Sequence, residues 1–432
     1  MKLGLSNSCD DPSEISMKAL RFGISIPRLL MGKALGRFTD SVVFGALSGL
    51  SLEEVPDPAL PGPDWARLEV LMCGVCGSDI AGLTFKSSSA LEPFLSFPAV
   101  LGHEVLARVV EVGPGVTRVK VGNRVSVDPS ISCVVRGRAP GEQCASCAAG
   151  LPATCARAGE TGGPSPNGTP LARGLLLGAN SDLPGGFGER MVAHQSQLFP
   201  VRESIEDKLA VLTEPLSIGV HAVLQSHPDP ATAALVIGSG PIAFSAVWAL
   251  RALGHRGLIV AQTKRPNEAA LARELGASDT AAPGAGARKA LLDTGATAYQ
   301  PIVGSEVFAG GGFPLVFDCV GSKESLDQAL RFVTPRGKVI LLGCAGQIGN
   351  VDLTFLWARE VQIIGFVGYG TESWRGERLH TFEVTHWLLS ETRAPIAKLV
   401  SHSFPLAHYQ DALGAAVHRG ASGALKVLLT PN

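Results

Sequence analysis

The stretch Ala233-Ala234-Leu235-Val236-Ile237-Gly238-Ser239-Gly240-Pro241-Ile242-Ala243 decides the fold. Its first five residues form an apolar run of strand length, and a helical pattern follows to Leu253. Between them, Gly238 permits a tight turn and Gly240 lets a pyrophosphate approach the backbone. Ala243 is small enough for the helix to pack on the strand. The free N–H groups and the dipole of a helix opened by Pro241 and Ile242 attract phosphate. Gly238, Gly240, Pro241 and Ile242 are therefore candidate contacts to a dinucleotide.

Downstream the alternation repeats. Gly257–Ala261 reads as a second strand and Pro266–Leu275 as a helix, with Pro at its start and Gly276 just past its end. Leu315–Cys319 and Lys338–Leu342 are further strands. This is the pattern of an α/β doubly wound parallel sheet. NAD-binding units place an acidic residue at the end of the second strand, where this chain has Thr263-Lys264-Arg265. Thr263 takes the acidic position, and Lys264 and Arg265 can hold a 2′-phosphate, which favours NADP over NAD. The plainer reading is two solvated cations at a helix start.

Upstream, Trp65 to Val127 is β-dominated. Arg67 and Glu69 alternate with Leu68 and Val70, and Val105–Val112 and Arg118–Val127 follow, the latter broken at Gly122-Asn123. Residues 129–190 lack periodicity, so function or something other than an apolar core must order them. Residues 1–16 are polar and unpatterned: a disordered extension, or a start codon placed ahead of Met17. The expected division is 1–16 extension, 17–218 first domain, 219–364 cofactor domain and 365–432 a return to the first domain.

The chain has 432 residues, 46% hydrophobic and 17% charged, with a net charge of -1. Two cores fit that length. The charge balance argues against nucleic acid or an anionic membrane as partner. Ala233–Leu250 is uncharged, but Gly238, Gly240 and Pro241 interrupt it, which disfavours a membrane span. The N-terminus has no apolar secretory segment, so the nine cysteines are expected in the cytoplasm, on metal more than in disulfides.

Two metal constellations stand out. Cys76, His103, Glu104 and Glu214 offer thiolate, imidazole and carboxylate ligands that leave a zinc position open for water or substrate. Cys144-x2-Cys147-x7-Cys155, with Cys133 upstream, would make a closed four-thiolate zinc in the unpatterned region. Loose unpaired thiols are the alternative. Cys73-x2-Cys76 has redox spacing but sits at a strand end. Cys319 and Cys344 read as small hydrophobes in sheet-like runs.

With these motifs in order, the chain resembles the zinc-containing medium-chain dehydrogenase/reductases, most closely the sorbitol and threonine dehydrogenase-like branch. The resemblance rests on Cys-Gly-Val-Cys-Gly-Ser-Asp (73–79), Gly-His-Glu (102–104), the cysteine lobe, Glu-Pro-Leu-Ser-Ile-Gly-Val-His (214–221) and Gly-Ser-Gly-Pro-Ile-Ala (238–243). It covers the chain from about Met17 onward. It implies a GroES-like catalytic domain and a Rossmann domain, and a zinc- and NADP- or NAD-dependent hydride transfer at an alcohol or aldehyde substrate. A dimer or tetramer is also implied.

By the same resemblance Cys76 and His103 bind the catalytic zinc. Glu104 is a direct or exchangeable ligand, and Glu214 binds directly or through water. Ser78 takes the substrate hydroxyl proton, Asp79 orients His103, and Lys426 contacts cofactor phosphate. Three departures stand out: Ala81 replaces a relay histidine, Gly141 replaces the first lobe cysteine, and Ala243 is the third loop position. Either a longer loop brings Cys133 to the lobe zinc, or that site is incomplete. The competing functions are a zinc-free quinone or enoyl reductase of the same fold, and a non-enzymatic cofactor sensor built on the cysteine lobe.

Overall fold

The computed structural model describes residues 16–25, 27–28, 44–344 and 346–431. The expected N-terminal extension lies outside the described residues except for Ser16. That residue opens the strand Ser16–Phe22, so the boundary drawn at residue 17 falls one residue inside a strand.

A seven-stranded, mostly antiparallel sheet has Trp65–Gly74 at its centre. Glu104–Val112 pairs along one edge; Arg190–His194 and Lys426–Thr430 pair with opposite ends of the other. The alternation read from sequence is realised there: Leu68 and Val70 are buried while Glu69 is exposed. Of the run 118–127, only Arg124–Val127 becomes strand. Near the C-terminus, Val400–Pro405 and Lys426–Thr430 pair in parallel, and Lys426–Thr430 joins this sheet against Trp65–Gly74. Between Val127 and Arg190 the chain forms only three short helical turns and no ladder strand.

The second sheet has six parallel strands in the order Asp279–Ala281, Ile259–Gln262, Ala234–Ile237, Phe313–Asp318, Val333–Leu341, Gln362–Gly365. The chain begins in the middle and winds outward both ways. The crevice at the carboxyl ends of Ala234–Ile237 and Phe313–Asp318 is the topological switch point where such sheets bind ligands. The helix Pro241–Ala252 follows the glycine turn, and Gly238 has φ +122°, which an L side chain rarely adopts. The irregular region 285–312 resolves into a helix, Ala285–Leu292, and a small hairpin of Thr297–Tyr299 with Val307–Ala309.

The two sheets meet through a pair of helices, Thr213–Ser226 and Pro241–Ala252, whose buried faces share one apolar cluster. Their contact is close because Gly219 has no side chain. Its N–H donates to Ser245 Oγ at 3.1 Å, and that hydroxyl donates to Leu216 O at 2.8 Å. A Cβ on Gly219 would lie 2.6 Å from the Ser245 carbonyl carbon, inside van der Waals contact with backbone. Gly219→Ala is therefore expected to force the helices apart and cost about 1–3 kcal/mol in urea unfolding.

The helix Thr381–Glu391 packs on Thr213–Ser226 and buries His386, whose Nε2 lies 3.1 Å from both Ser126 Oγ and Thr213 Oγ1. Burial, reinforced by Arg202 and His380, lowers its pKa from 6.5 to about 4. The depressed value means that the folded state resists protonation. Stability from this group is complete above pH 6.5 and is lost as pH falls toward 4. His386→Gln should flatten the decline of urea midpoint with acid over that window, where the wild type loses up to about 3 kcal/mol.

Candidate active site

Cys76 is the N-cap of the helix Gly77–Leu83, with extended backbone. Asp79, three residues on, accepts the Cys76 N–H at 2.9 Å with Oδ2 and lies 3.4 Å from His103 Nδ1 with Oδ1. One carboxylate thus sets the loop that carries the thiol and the orientation of the imidazole. Ligand atoms of Cys76, His103 and Glu104 lie within 4.8 Å of one another. Ser78 is half-buried in the first turn of the same helix, two residues past Cys76.

Glu214 stands beside this cluster and is not one of its three members. It is buried in the first turn of Thr213–Ser226 and accepts a hydrogen bond from Tyr369 Oη at 3.1 Å. Burial, then the charge of Glu104, pushes its carboxyl up to about 7. Tyr369, which the sequence did not single out, has its own pKa raised by burial and by Glu214. Burial opposes protonation of His103, but Asp79 and the Cys76 sulfur outweigh it and raise the imidazole pKa.

Lys426 departs from its expected place. Its ammonium is 3% exposed and donates to both oxygens of Glu104 at 2.6 Å and to Val75 O at 3.2 Å. Strand pairing of Lys426–Thr430 with Trp65–Gly74 carries it into the cluster, away from the glycine turn. The structure therefore brings Lys426 to the carboxylate of the metal cluster and does not bring it to the glycine turn, where a cofactor phosphate was expected. Burial disfavours its charge, but Glu104 and Cys76 together hold it protonated.

Cys344 is corrected as well. It lies in the loop after Val333–Leu341, not in sheet, and its thiol pKa is raised by burial first and then by Cys76 and Glu214, with His103 opposing, so it stands near the Cys76 cluster. The carboxyl end of the parallel sheet therefore faces the Cys76 cluster. At that end Gly238 and Gly240 form the turn, and Pro241 occupies the first position of a helix that no side chain caps. The uncapped N–H groups from Ile242 onward suit a phosphate. Thr263 is buried at the end of the second strand, Lys264 is exposed, and Arg265 Nη1 pairs with Glu268 at 2.6 Å.

The cysteine lobe is complete. Cys133, Cys144, Cys147 and Cys155 bring their sulfurs within 4.8 Å of one another, with Cys133–Cys155 at 3.7 Å and Cys144–Cys155 at 4.0 Å. A tetrahedral zinc with bonds of about 2.3 Å sets sulfurs about 3.8 Å apart, so the four thiols fit that ion. Burial raises the Cys144 pKa, yet N–H groups of Cys147 and Ala156 outweigh it and bring the thiol to about 6. Burial raises Cys147 and Cys155. Cys73 is buried in Trp65–Gly74 and unbridged.

Family models match two parts of the chain: an alcohol dehydrogenase GroES-like domain over residues 62–203, and a zinc-binding dehydrogenase domain over residues 241–382. The chain belongs to the zinc-containing medium-chain dehydrogenase family. It is 28% identical to a diacetyl reductase of Saccharomyces cerevisiae over 87% of this chain and 86% of that one. It is 27% identical to a sorbitol dehydrogenase of Arabidopsis thaliana over 88% and 93%. A solved zinc-binding dehydrogenase of Sinorhizobium meliloti 1021, bound to NADP, superposes with a TM-score of 0.69 at 25% identity, covering 96% of this chain and all of that one.

Within this dehydrogenase fold the lobe is tested by metal content. Cys133→Ser should lower zinc by about one ion per chain, from about two, by elemental mass spectrometry, and should open residues 129–190 to protease. Unchanged zinc content would place Cys133 outside the ligand set.

Proposed function

We propose that this enzyme interconverts an alcohol or polyol with its carbonyl form, using NADP in preference to NAD. The observation that carries the reading is the Cys76–His103–Glu104 cluster facing the carboxyl end of a glycine-loop parallel sheet. In this reading residues 17–218 and 365–432 hold substrate, and residues 219–364 hold cofactor. The sorbitol and diacetyl activities of the relatives support the substrate class.

Cys76, His103 and Glu104 would hold a zinc ion, which would supply a Lewis acid for the substrate oxygen, as a bound nicotinamide would supply the hydride acceptor. The chain does the rest. Asp79, accepting at His103 Nδ1, leaves Nε2 as the donor to metal. Cys76 supplies the thiolate. Lys426 neutralises Glu104, which otherwise would add its negative charge to those of Cys76 and Glu214. Ser78 takes the hydroxyl proton and passes it toward solvent. Ala81 stands where longer relays keep a histidine, so the relay here is short.

The preference for NADP rests on Thr263 in place of an acid and on the cations that follow it. The expected setting is cytoplasmic, with small-molecule substrates and a homo-oligomer. Among the described residues no helix is long and apolar enough to cross a membrane.

Cys76→Ser should reduce alcohol turnover by at least about a hundredfold while leaving the NADPH dissociation constant within about twofold, since ligand and cofactor contacts are separate. Retained turnover in that variant and in the presence of a strong chelator would point instead to a zinc-free reductase.

A further inference from the structure

The four-residue helix Arg419–Ser422 belongs to the C-terminal segment, whose strands join the catalytic sheet, yet it lands on the cofactor loop. Arg419 Nη2 donates to Ser239 O at 3.0 Å, inside the Gly238-Ser239-Gly240 turn, and Nε donates to Ala424 O at 2.9 Å. Nη1 takes no part in these bonds and lies 3.5 Å from where a Cβ of Gly240 would be. Arg265 approaches from the second strand, its Nη2 3.5 Å from the corresponding position of Gly420.

Between the two guanidinium groups lies Glu268, whose side chain is 1% exposed. One oxygen accepts from Arg265 Nη1 at 2.6 Å and lies 4.0 Å from Arg419 Nη2. The other accepts the backbone N–H groups of Lys264 and Arg265 at 3.1 and 3.2 Å. A buried carboxylate therefore shapes the turn after the second strand and gathers two cations from distant parts of the chain. Lys264, Arg265 and Arg419 against Glu268 leave an excess of two positive charges at the site where dinucleotide folds hold the adenosine ribose. A phosphate monoester carries about -1.5 to -2 charge near neutral pH, and arginine forks suit its oxygens.

We propose that Arg419 is a ligand of the cofactor 2′-phosphate, and that Glu268 is the positioning residue that holds Arg419 and Arg265 for it. The proposal rests on the NADP reading above, and its test separates the two. The C-terminal segment then contributes to both sites, Lys426 at the metal cluster and Arg419 at the cofactor.

The probes are 5′-AMP, ADP and 2′,5′-ADP, titrated calorimetrically into the full-length protein. The first lacks both the pyrophosphate and the 2′-phosphate, the second adds only the former and the third only the latter. Wild type should bind 2′,5′-ADP at least about tenfold tighter than 5′-AMP, the size of a charged hydrogen bond. Arg419→Gln should remove most of that advantage and leave 5′-AMP and ADP unchanged, and Arg419→Lys should recover part of it. Glu268→Gln should also weaken 2′,5′-ADP, although it removes a negative charge beside a dianion, and Glu268→Asp should restore part of the affinity.

No advantage of 2′,5′-ADP in wild type overturns both this proposal and the NADP reading. An advantage that Arg265→Gln abolishes and Arg419→Gln leaves intact overturns the role of Arg419 alone. Weakened ADP with unchanged 2′,5′-ADP in Arg419→Gln moves that residue to the pyrophosphate and overturns its assignment. Tighter 2′,5′-ADP binding in Glu268→Gln overturns the positioning role.

Discussion

Both functional ends of this protein hang on the contact between Gly219 and Ser245. Glu214 stands five residues before Gly219 on one helix, and Gly240 stands five residues before Ser245 at the start of the other. The hydrogen bond from Gly219 N–H to Ser245 Oγ and the missing side chain set how near the two helices come. A packed core is not continuously deformable, so a fixed helix pair fixes the distance between the metal cluster and the glycine turn. Hydride transfer demands that the two carbon atoms involved be held within near-contact distance, which is why such a joint matters for chemistry as well as for stability.

The cluster itself is a concentration of buried charge. Cys76, Glu104, Glu214 and Lys426 are gathered with His103 and Asp79 in a space from which water is largely removed. Removing charges from water is costly, and only good pairing offsets it. Lys426 on Glu104 and Tyr369 on Glu214 supply that pairing. The arrangement spends stability on pre-set charge, which is the usual reason for perturbed carboxyl groups to collect where catalysis occurs.

The cysteine lobe solves a different problem. Residues 129–189 form no ladder strand; Ile131, Val135, Leu171, Leu177 and Leu183 anchor them to the core of the first domain, and the four sulfurs gather from a span of twenty-three positions beside it. Cys133 replaces the sulfur that Gly141 lacks by folding back, so that the Cys144 N–H points at its Sγ at 3.3 Å. Spacing along the chain leaves that substitution open, because a loop of ten residues can close in many ways. Only its path in space decides it.

The sequence by itself determined the α/β class, the glycine turn, four of the six parallel strands, and Cys76, His103, Glu104 and Glu214 as candidate ligands; it left open Asp279–Ala281, Gln362–Gly365 and the order of the strands across the sheet. Those signals are local: apolar runs of strand length, a Gly-x-Gly turn before a helix, and thiol, imidazole and carboxylate residues in short motifs. Arg265 was legible as a cation after the second strand, but Glu268, which pairs with it, was not singled out. Tertiary structure alone decided where Lys426, Tyr369, Cys344 and Arg419 go. Each meets a site group more than a hundred residues away, and that partner is chosen by strand pairing and by the path of the C-terminal segment across both sheets. A lysine near the end of the chain reads the same whether it faces a phosphate or a buried carboxylate. The antiparallel register of Lys426–Thr430 against Trp65–Gly74 carries it to the carboxylate.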